Sequence, residues 1–164
     1  MKHIFLVRHG AIDRHRLLSE EGKQQISDIC VDIAQRAQGD TRIVTSTAPR
    51  AIDSAQIIKR RLGLMNHILE PFLWSYDGPR DENNYTTNQN KTELLNVVKK
   101  HDDIDTLIVV GHVEILRDLP GLVLKEYLDQ FEHTWDIQTG GCIHIRLEDK
   151  KWKVLTPSMS LGSS

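Results

Sequence analysis

Strand-like and helix-like segments alternate along this 164-residue chain and finish in a hairpin. That order predicts an α/β three-layer sandwich: a mostly parallel central sheet, helices on both faces and an antiparallel C-terminal hairpin. Three observations carry the prediction. Ile4-Phe5-Leu6-Val7 and Leu107-Ile108-Val109-Val110 are short unbroken apolar runs, the pattern of strands covered on both faces. Between such runs, apolar residues recur at three- and four-residue spacing, as along one side of a helix. Cys142 to Leu147 alternates instead, and Trp152-Lys153-Val154-Leu155 follows it across Glu148-Asp149-Lys150-Lys151.

The first strand covers His3 to Val7. Ser19 then supplies an N-cap and Glu20 and Glu21 first-turn carboxylates for a helix whose apolar side is Ile26, Cys30, Ile33 and Ala37, with Gly39 closing it. A second strand surrounds Ile43-Val44. Pro49 fits the first turn of the next helix, which carries Ala51, Ala55, Ile58 and Leu62 on one side and runs up to Gly63. Lys59-Arg60-Arg61 in its last turn complements the helix dipole. A weaker third strand is expected over Ile68 to Phe72, then a long polar loop from Asp77 to Asn90, then a helix with Leu94, Leu95 and Val98. Thr106 to Val110 reads as the strongest strand, leading through Gly111-His112 into a helix with Ile115, Leu116 and Leu119 that Pro120-Gly121 interrupts. Without linker or repeat, residues 1–157 are expected to form one domain and 158–164 a flexible polar tail.

Composition narrows the function classes. At 18.8 kDa, with 39% hydrophobic and 27% charged residues, the chain can bury a sizeable core and is no low-complexity tail protein. Its 21 basic and 23 acidic residues leave a formal charge of −2, so it lacks the footprint of a general nucleic-acid binder and any anion site must be local. Cys30 and Cys142 are far apart and outside any CxxC pattern, which suits core packing better than a disulfide or zinc. The apolar runs are too short to span a bilayer, and Met1-Lys2-His3 leads straight into a strand, so a cytoplasmic protein with no membrane partner is expected.

In open α/β sheets, ligands bind beyond the carboxyl ends of the strands. The residues just after the three clearest strands are Arg8-His9-Gly10, Ser46-Thr47-Ala48-Pro49-Arg50 and Gly111-His112. Any one of these histidines or arginines, met alone, reads as a structural residue; together they form a cationic rim. Arginine's planar fork matches phosphoryl oxygens, and a neutral imidazole is a good nucleophile toward phosphorus near pH 7. His9 is therefore the candidate nucleophile, with Arg8 and Arg50 as phosphate clamps and His112 as electrophilic partner. Gly10, which lets backbone approach a ligand, Ser46, Arg14 and Arg16 are candidate substrate-binding residues. Arg14-His15-Arg16 could hold a second anionic group or be solvated loop charge. With neither an Asp-x-Asp nor an HExxH pattern, and with arginines supplying positive charge, no metal or cofactor is expected. His67, His101, His133 and His144 read as surface or packing residues, and Trp74, Trp135 and Trp152 as partial core.

Four blocks in order over most of residues 4 to 115 resemble the histidine phosphatase (phosphoglycerate mutase-like) superfamily. They are Arg8-His9-Gly10, Leu18-Ser19-x-x-Gly22-x-x-Gln25, Ser46-x-x-x-Arg50-Ala51-x-x-Ser54-Ala55 and Val110-Gly111-His112. In length and layout the chain is similar to the compact SixA-type phosphohistidine phosphatases. The resemblance implies a phosphohistidine intermediate on His9, phosphate contacts from Arg8, Arg50 and His112, and a carboxylic acid on a mobile loop. At the acid the chain departs from the pattern, with Ser75 where metabolite-directed members carry glutamate. Asp77, in Ser75-Tyr76-Asp77-Gly78-Pro79, is the candidate acid and equally a turn former, with Glu70, Asp81 and Glu82 nearby. A missing acid matters less for phosphohistidine, whose imidazole leaves more easily than an alkoxide. The expected partner is thus a phosphorylated substrate, such as a phosphohistidine signalling protein. The competing readings are a non-catalytic phosphate- or phosphoprotein-binding module and a small-molecule phosphomonoesterase or phosphotransferase.

Overall fold

The computed structural model describes residues 1–73, 87–130 and 134–155, with 87–91 described by backbone alone. Asp77, Asp81, Glu82, Trp74, His133 and the 158–164 tail lie outside the described residues. The two apolar runs form the centre of a six-stranded sheet. β1 (His3–Arg8) pairs in parallel with β4 (Thr106–Gly111), from His3 opposite Thr106 to Arg8 opposite Gly111. β4 pairs in parallel with β2 (Thr41–Thr45), and β2 with β3 (Ile68–Leu69). On the other side of β1, β5 (Cys142–Arg146) and then β6 (Lys151–Leu155) add antiparallel, giving the order β3-β2-β4-β1-β5-β6.

Strand alternation sorts the core into two layers. Phe5, Val7, Ile43, Ile108 and Val110 pack on one face with Ile26, Ile29, Cys30 and Ile33 of α1 (Glu20–Arg36) and Ala51, Ala55 and Ile58 of α2 (Pro49–Leu62). Ile4, Leu6, Leu107 and Val109 pack on the other with Leu94, Val97 and Val98 of α3 (Thr87–Lys99), Leu116 of α4 (Val113–Leu116) and Val123 of α5 (Leu119–Leu128). Helices thus cover both faces, as an apolar run on a central strand requires. Cys30 and Cys142 are buried free thiols in the first layer, and burial pushes Cys30 up to about 12, out of reach of thiolate chemistry near neutral pH. Among the described residues, no helix is long and apolar enough to cross a membrane.

Several element boundaries differ from those expected, each for a local reason. α1 ends at Arg36, and Gly39 instead takes a left-handed φ of 61° in the turn that follows. β3 has two residues because Pro71 offers no N–H to a ladder and opens a 3-10 turn over Pro71–Leu73. α3 begins at Thr87, inside the stretch that reads as loop. The break near Pro120 falls before it: Pro120 sits in the first turn of α5, where its missing N–H is harmless. His144 is a packing residue, stacked on Phe5 with ring centroids 4.3 Å apart and its Nε2 2.9 Å from Nδ1 of His3.

Candidate active site

At the carboxyl ends of β1, β2 and β4 lies a cavity of about 110 Å³ lined by Arg8, His9, Ile12, Arg16, Arg50, His112, Val113 and Glu114. Arg8 is the last residue of β1, Arg50 the second of α2 and His112 the first after β4. Pockets that enclose a whole drug-sized ligand run to about 300–1,000 Å³. This cavity has room for a small group, with the rest of any larger ligand left outside.

A backbone contact holds the loop that carries His9. A Cβ built on Gly10 would lie 2.4 Å from the Gly22 carbonyl oxygen, and one built on Gly22 would lie 2.2 Å from that of Ala11, so the loop and the first turn of α1 touch directly. Side chains fasten the same contact. Ser19 Oγ donates to the Ala11 carbonyl (2.9 Å) while accepting from Gly22 N–H (3.0 Å), and Gln25 Oε1 accepts from Ala11 N–H (2.8 Å). From α2, Ser54 Oγ accepts from Gly10 N–H (3.1 Å) and donates to the Arg50 carbonyl (2.8 Å). The Leu-Ser-x-x-Gly-x-x-Gln block and Ser54 are therefore the footing of the loop. Gly10 itself is glycine because α1 passes so close, and it is not among the residues that line the cavity. Gly22→Ala should lower stability by about 1–3 kcal/mol, the overpacking range, and displace His9. Thermal melts and activity assays on one preparation should show both losses together.

His9 is buried, and its Nδ1 lies 2.7 Å from the Gly10 carbonyl oxygen. A carbonyl only accepts, so Nδ1 carries the hydrogen and Nε2 keeps its lone pair. Burial, with the Arg50 and Arg8 charges behind it, pushes the imidazole down to about 4 against an upward pull from the Gly10 hydrogen bond. Burial likewise pushes His112 down to about 3, helped by His9, Arg50 and Arg8. Both rings are neutral at pH 7, 5.1 Å apart between centroids and tilted by 60°. Ser46 Oγ, fully buried and accepting from Ala48 N–H, is 2.8 Å from His112 Nε2. Ser46 thus orients His112 from behind and does not line the cavity. Arg8 donates through Nη1 to the Ile137 carbonyl (2.9 Å), while its buried Nε–H has no acceptor among the described residues. A guanidinium fixed in this way presents its remaining donors to an anion without further ordering.

Arg16 reaches the cavity from a tight turn in which its own φ is 64° and Asp13 Oδ1 accepts from the N–H groups of His15 and Leu17. Arg14 is exposed, with Nε directed at His15 Nε2, and does not line the cavity. Glu70 is buried in an ion pair with Lys100 (2.5 Å), away from the cavity lining. Glu114 is a lining residue that sequence reading missed. Its place is two positions beyond His112, just past the third of the strand-end blocks.

The depressed histidines make acid stability a reporter of the site. The imidazoles of an unfolded chain take up protons near pH 6.5, whereas His9, His112 and His144 in the folded chain hold out to about 4, 3 and 3. Between these limits the unfolded state binds more protons, so stability is fully present above pH 6.5 and is lost as pH falls toward 4. Urea midpoints should be flat above pH 7 and fall steadily from pH 6.5 to 4.5, by about 1.4 kcal/mol per pH unit for each imidazole involved.

No protein-family model matches the chain, and no curated sequence matches it. Solved structures do. A mycobacterial glucosyl-3-phosphoglycerate phosphatase, solved with VO3, superposes with a TM-score of 0.64 at 16% identity over 94% of this chain and 97% of its own. A protein from Agrobacterium tumefaciens described as the phosphohistidine phosphatase SixA gives 0.59 at 19% identity, over 94% and 95%. The alpha-ribazole phosphatase of Shigella flexneri gives 0.65 at 14%, over 94% and 95%. With a six-stranded mixed sheet, helices on both faces and an antiparallel closing hairpin, the chain has the phosphoglycerate mutase-like fold that these phosphatases share.

Proposed function

We propose that this protein is a metal-independent phosphatase that works through a phosphohistidine on His9. One observation carries the reading: a neutral imidazole, its Nδ1–H turned to the Gly10 carbonyl and its Nε2 lone pair therefore available, lines a small cavity together with Arg8 and Arg50. In the first step Nε2 forms a bond to phosphorus and the leaving group departs with its electron pair. In the second, water attacks phosphorus and the electrons of the N–P bond return to Nε2. Arg8 and Arg50 neutralise the equatorial oxygens, and His112, held by Ser46, steadies them as charge builds up. The arginines supply the positive field, so the reaction needs no metal or cofactor.

The cavity accepts a phosphoryl group and leaves the rest of the substrate outside, which suits a phosphate borne on a protein. We take the substrate to be a phosphorylated molecule met in the cytoplasm, a phosphohistidine signalling protein foremost, with neither nucleic acid nor membrane as partner. Arg16 at the cavity would meet an acidic group next to the phosphate. Incubation with p-nitrophenyl phosphate should release phosphate and leave an acid-labile phosphoryl label on the wild-type chain, with neither in His9→Ala. Tight phosphate binding without release or label would make the protein a binding module.

A further inference from the structure

A leaving alkoxide needs a proton and an attacking water must lose one, and neither an arginine, which keeps its proton, nor the nucleophile, whose Nε2 bonds to phosphorus, supplies this exchange. Among the described residues that line the cavity, Glu114 is the one carboxylate. Its place is set by the backbone: the His112 carbonyl accepts from the N–H groups of Ile115 (3.1 Å) and Leu116 (2.8 Å), both buried, and the resulting turn carries Glu114 two residues beyond His112. Glu114 lines the cavity together with Arg8, and its charge opposes the burial that pushes the Arg8 guanidinium down. It makes no hydrogen bond or ion pair with the described residues, unlike Glu70, which Lys100 holds.

The geometry points to Glu114 as the proton carrier of the reaction, giving a proton to the leaving oxygen and taking one from the attacking water. The assignment rests on the phosphatase reading above. The first step uses the carboxyl form of the side chain and the second the carboxylate. As the P–O bond breaks, the carboxyl proton passes to the departing oxygen and Glu114 is left as carboxylate. When water attacks phospho-His9, the carboxylate takes the water's proton as the N–P bond breaks, and the carboxyl is restored. The sum is phosphate ester plus water giving alcohol plus phosphate, with no proton left over.

Two steps that depend differently on one group give a kinetic signature. With Glu114→Gln, kcat/KM for ethyl phosphate should fall about 10²–10³-fold, the range for a lost general acid, while p-nitrophenyl phosphate, whose leaving group needs no proton, should lose little. The first turnover with p-nitrophenyl phosphate should then outrun the second, giving a burst of nitrophenolate stoichiometric with enzyme and a phosphoryl label that accumulates on His9. Glu114→Asp should recover part of the ethyl phosphate activity and weaken the burst. Equal losses on both substrates with no burst would overturn the assignment, as would transfer of the leaving-group-dependent loss to Asp77→Asn. Thermal melts of both variants close to wild type show that the readout is chemical. A wild-type chain that neither turns over nor takes label sinks the phosphatase reading itself, whereas a labelling wild type with an unaltered Glu114→Gln sinks only the role of Glu114.

Discussion

His9→Ala should lower the first-order rate of phosphate release by about 10⁴-fold or more, the scale on which removing a covalent nucleophile acts in other hydrolases. The loss is large because the remaining groups cannot substitute. His112 is turned toward Ser46, and the arginines stabilise charge without forming a bond to phosphorus. The same variant removes one of the depressed imidazoles. It should therefore hold its stability to lower pH than wild type, and urea midpoints at pH 7 and pH 5 read this directly. An inactive variant with an unchanged acid profile would leave the nucleophile assignment standing and put the acid sensitivity on His112 and His144.

Arg50→Ala should cost about 10²–10³-fold in kcat, the scale for removing one charge-stabilising donor at an oxyanion site, and KM should rise as well because ground-state phosphate is also an anion. Arg50→Lys should recover only part, since a point charge replaces a two-pronged donor. The buried guanidinium also helps to hold both His9 and His112 neutral. In Arg50→Ala the acidic limb of kcat/KM should consequently move upward from near pH 4, which loss of phosphate contact alone would not do. Rates measured from pH 4 to 7, with substrate ionisation taken into account, separate the two effects.

The sequence made the sheet legible because β1 and β4 bury every side chain between Ile4 and Val7 and between Leu107 and Val110. A continuous apolar run leaves little else such a segment could be. The rim followed, since His9 and His112 come directly after strands whose ends are marked and Arg50 lies in the first turn of the helix that follows another. What stayed hidden was of a different kind. That Gly10 and Gly22 touch is a fact about two backbones, with no pattern inside either segment to announce it. Ser46 reads like a ligand-binding hydroxyl, and only packing shows that it turns toward His112. Glu114 reads as an ordinary first-turn carboxylate of a helix, and its presence in the cavity depends on how short α4 is.

The strand order has a consequence for how the molecule comes to life and how it dies. β1, which ends in Arg8, and β2, which leads to Arg50 at the start of α2, do not pair with each other; β4 lies between them. Until the segment around residue 108 slots in, the two guanidinium groups belong to separate pieces of chain, and nothing exists that could hold an anion. A growing polypeptide thus lacks this clamp until β4 has emerged. Pairings between strands so distant in sequence form slowly, and the central one opens only when the whole sheet does. Catalytic loss and spectroscopic unfolding should then share a single midpoint in denaturant, with no crippled but folded species between them.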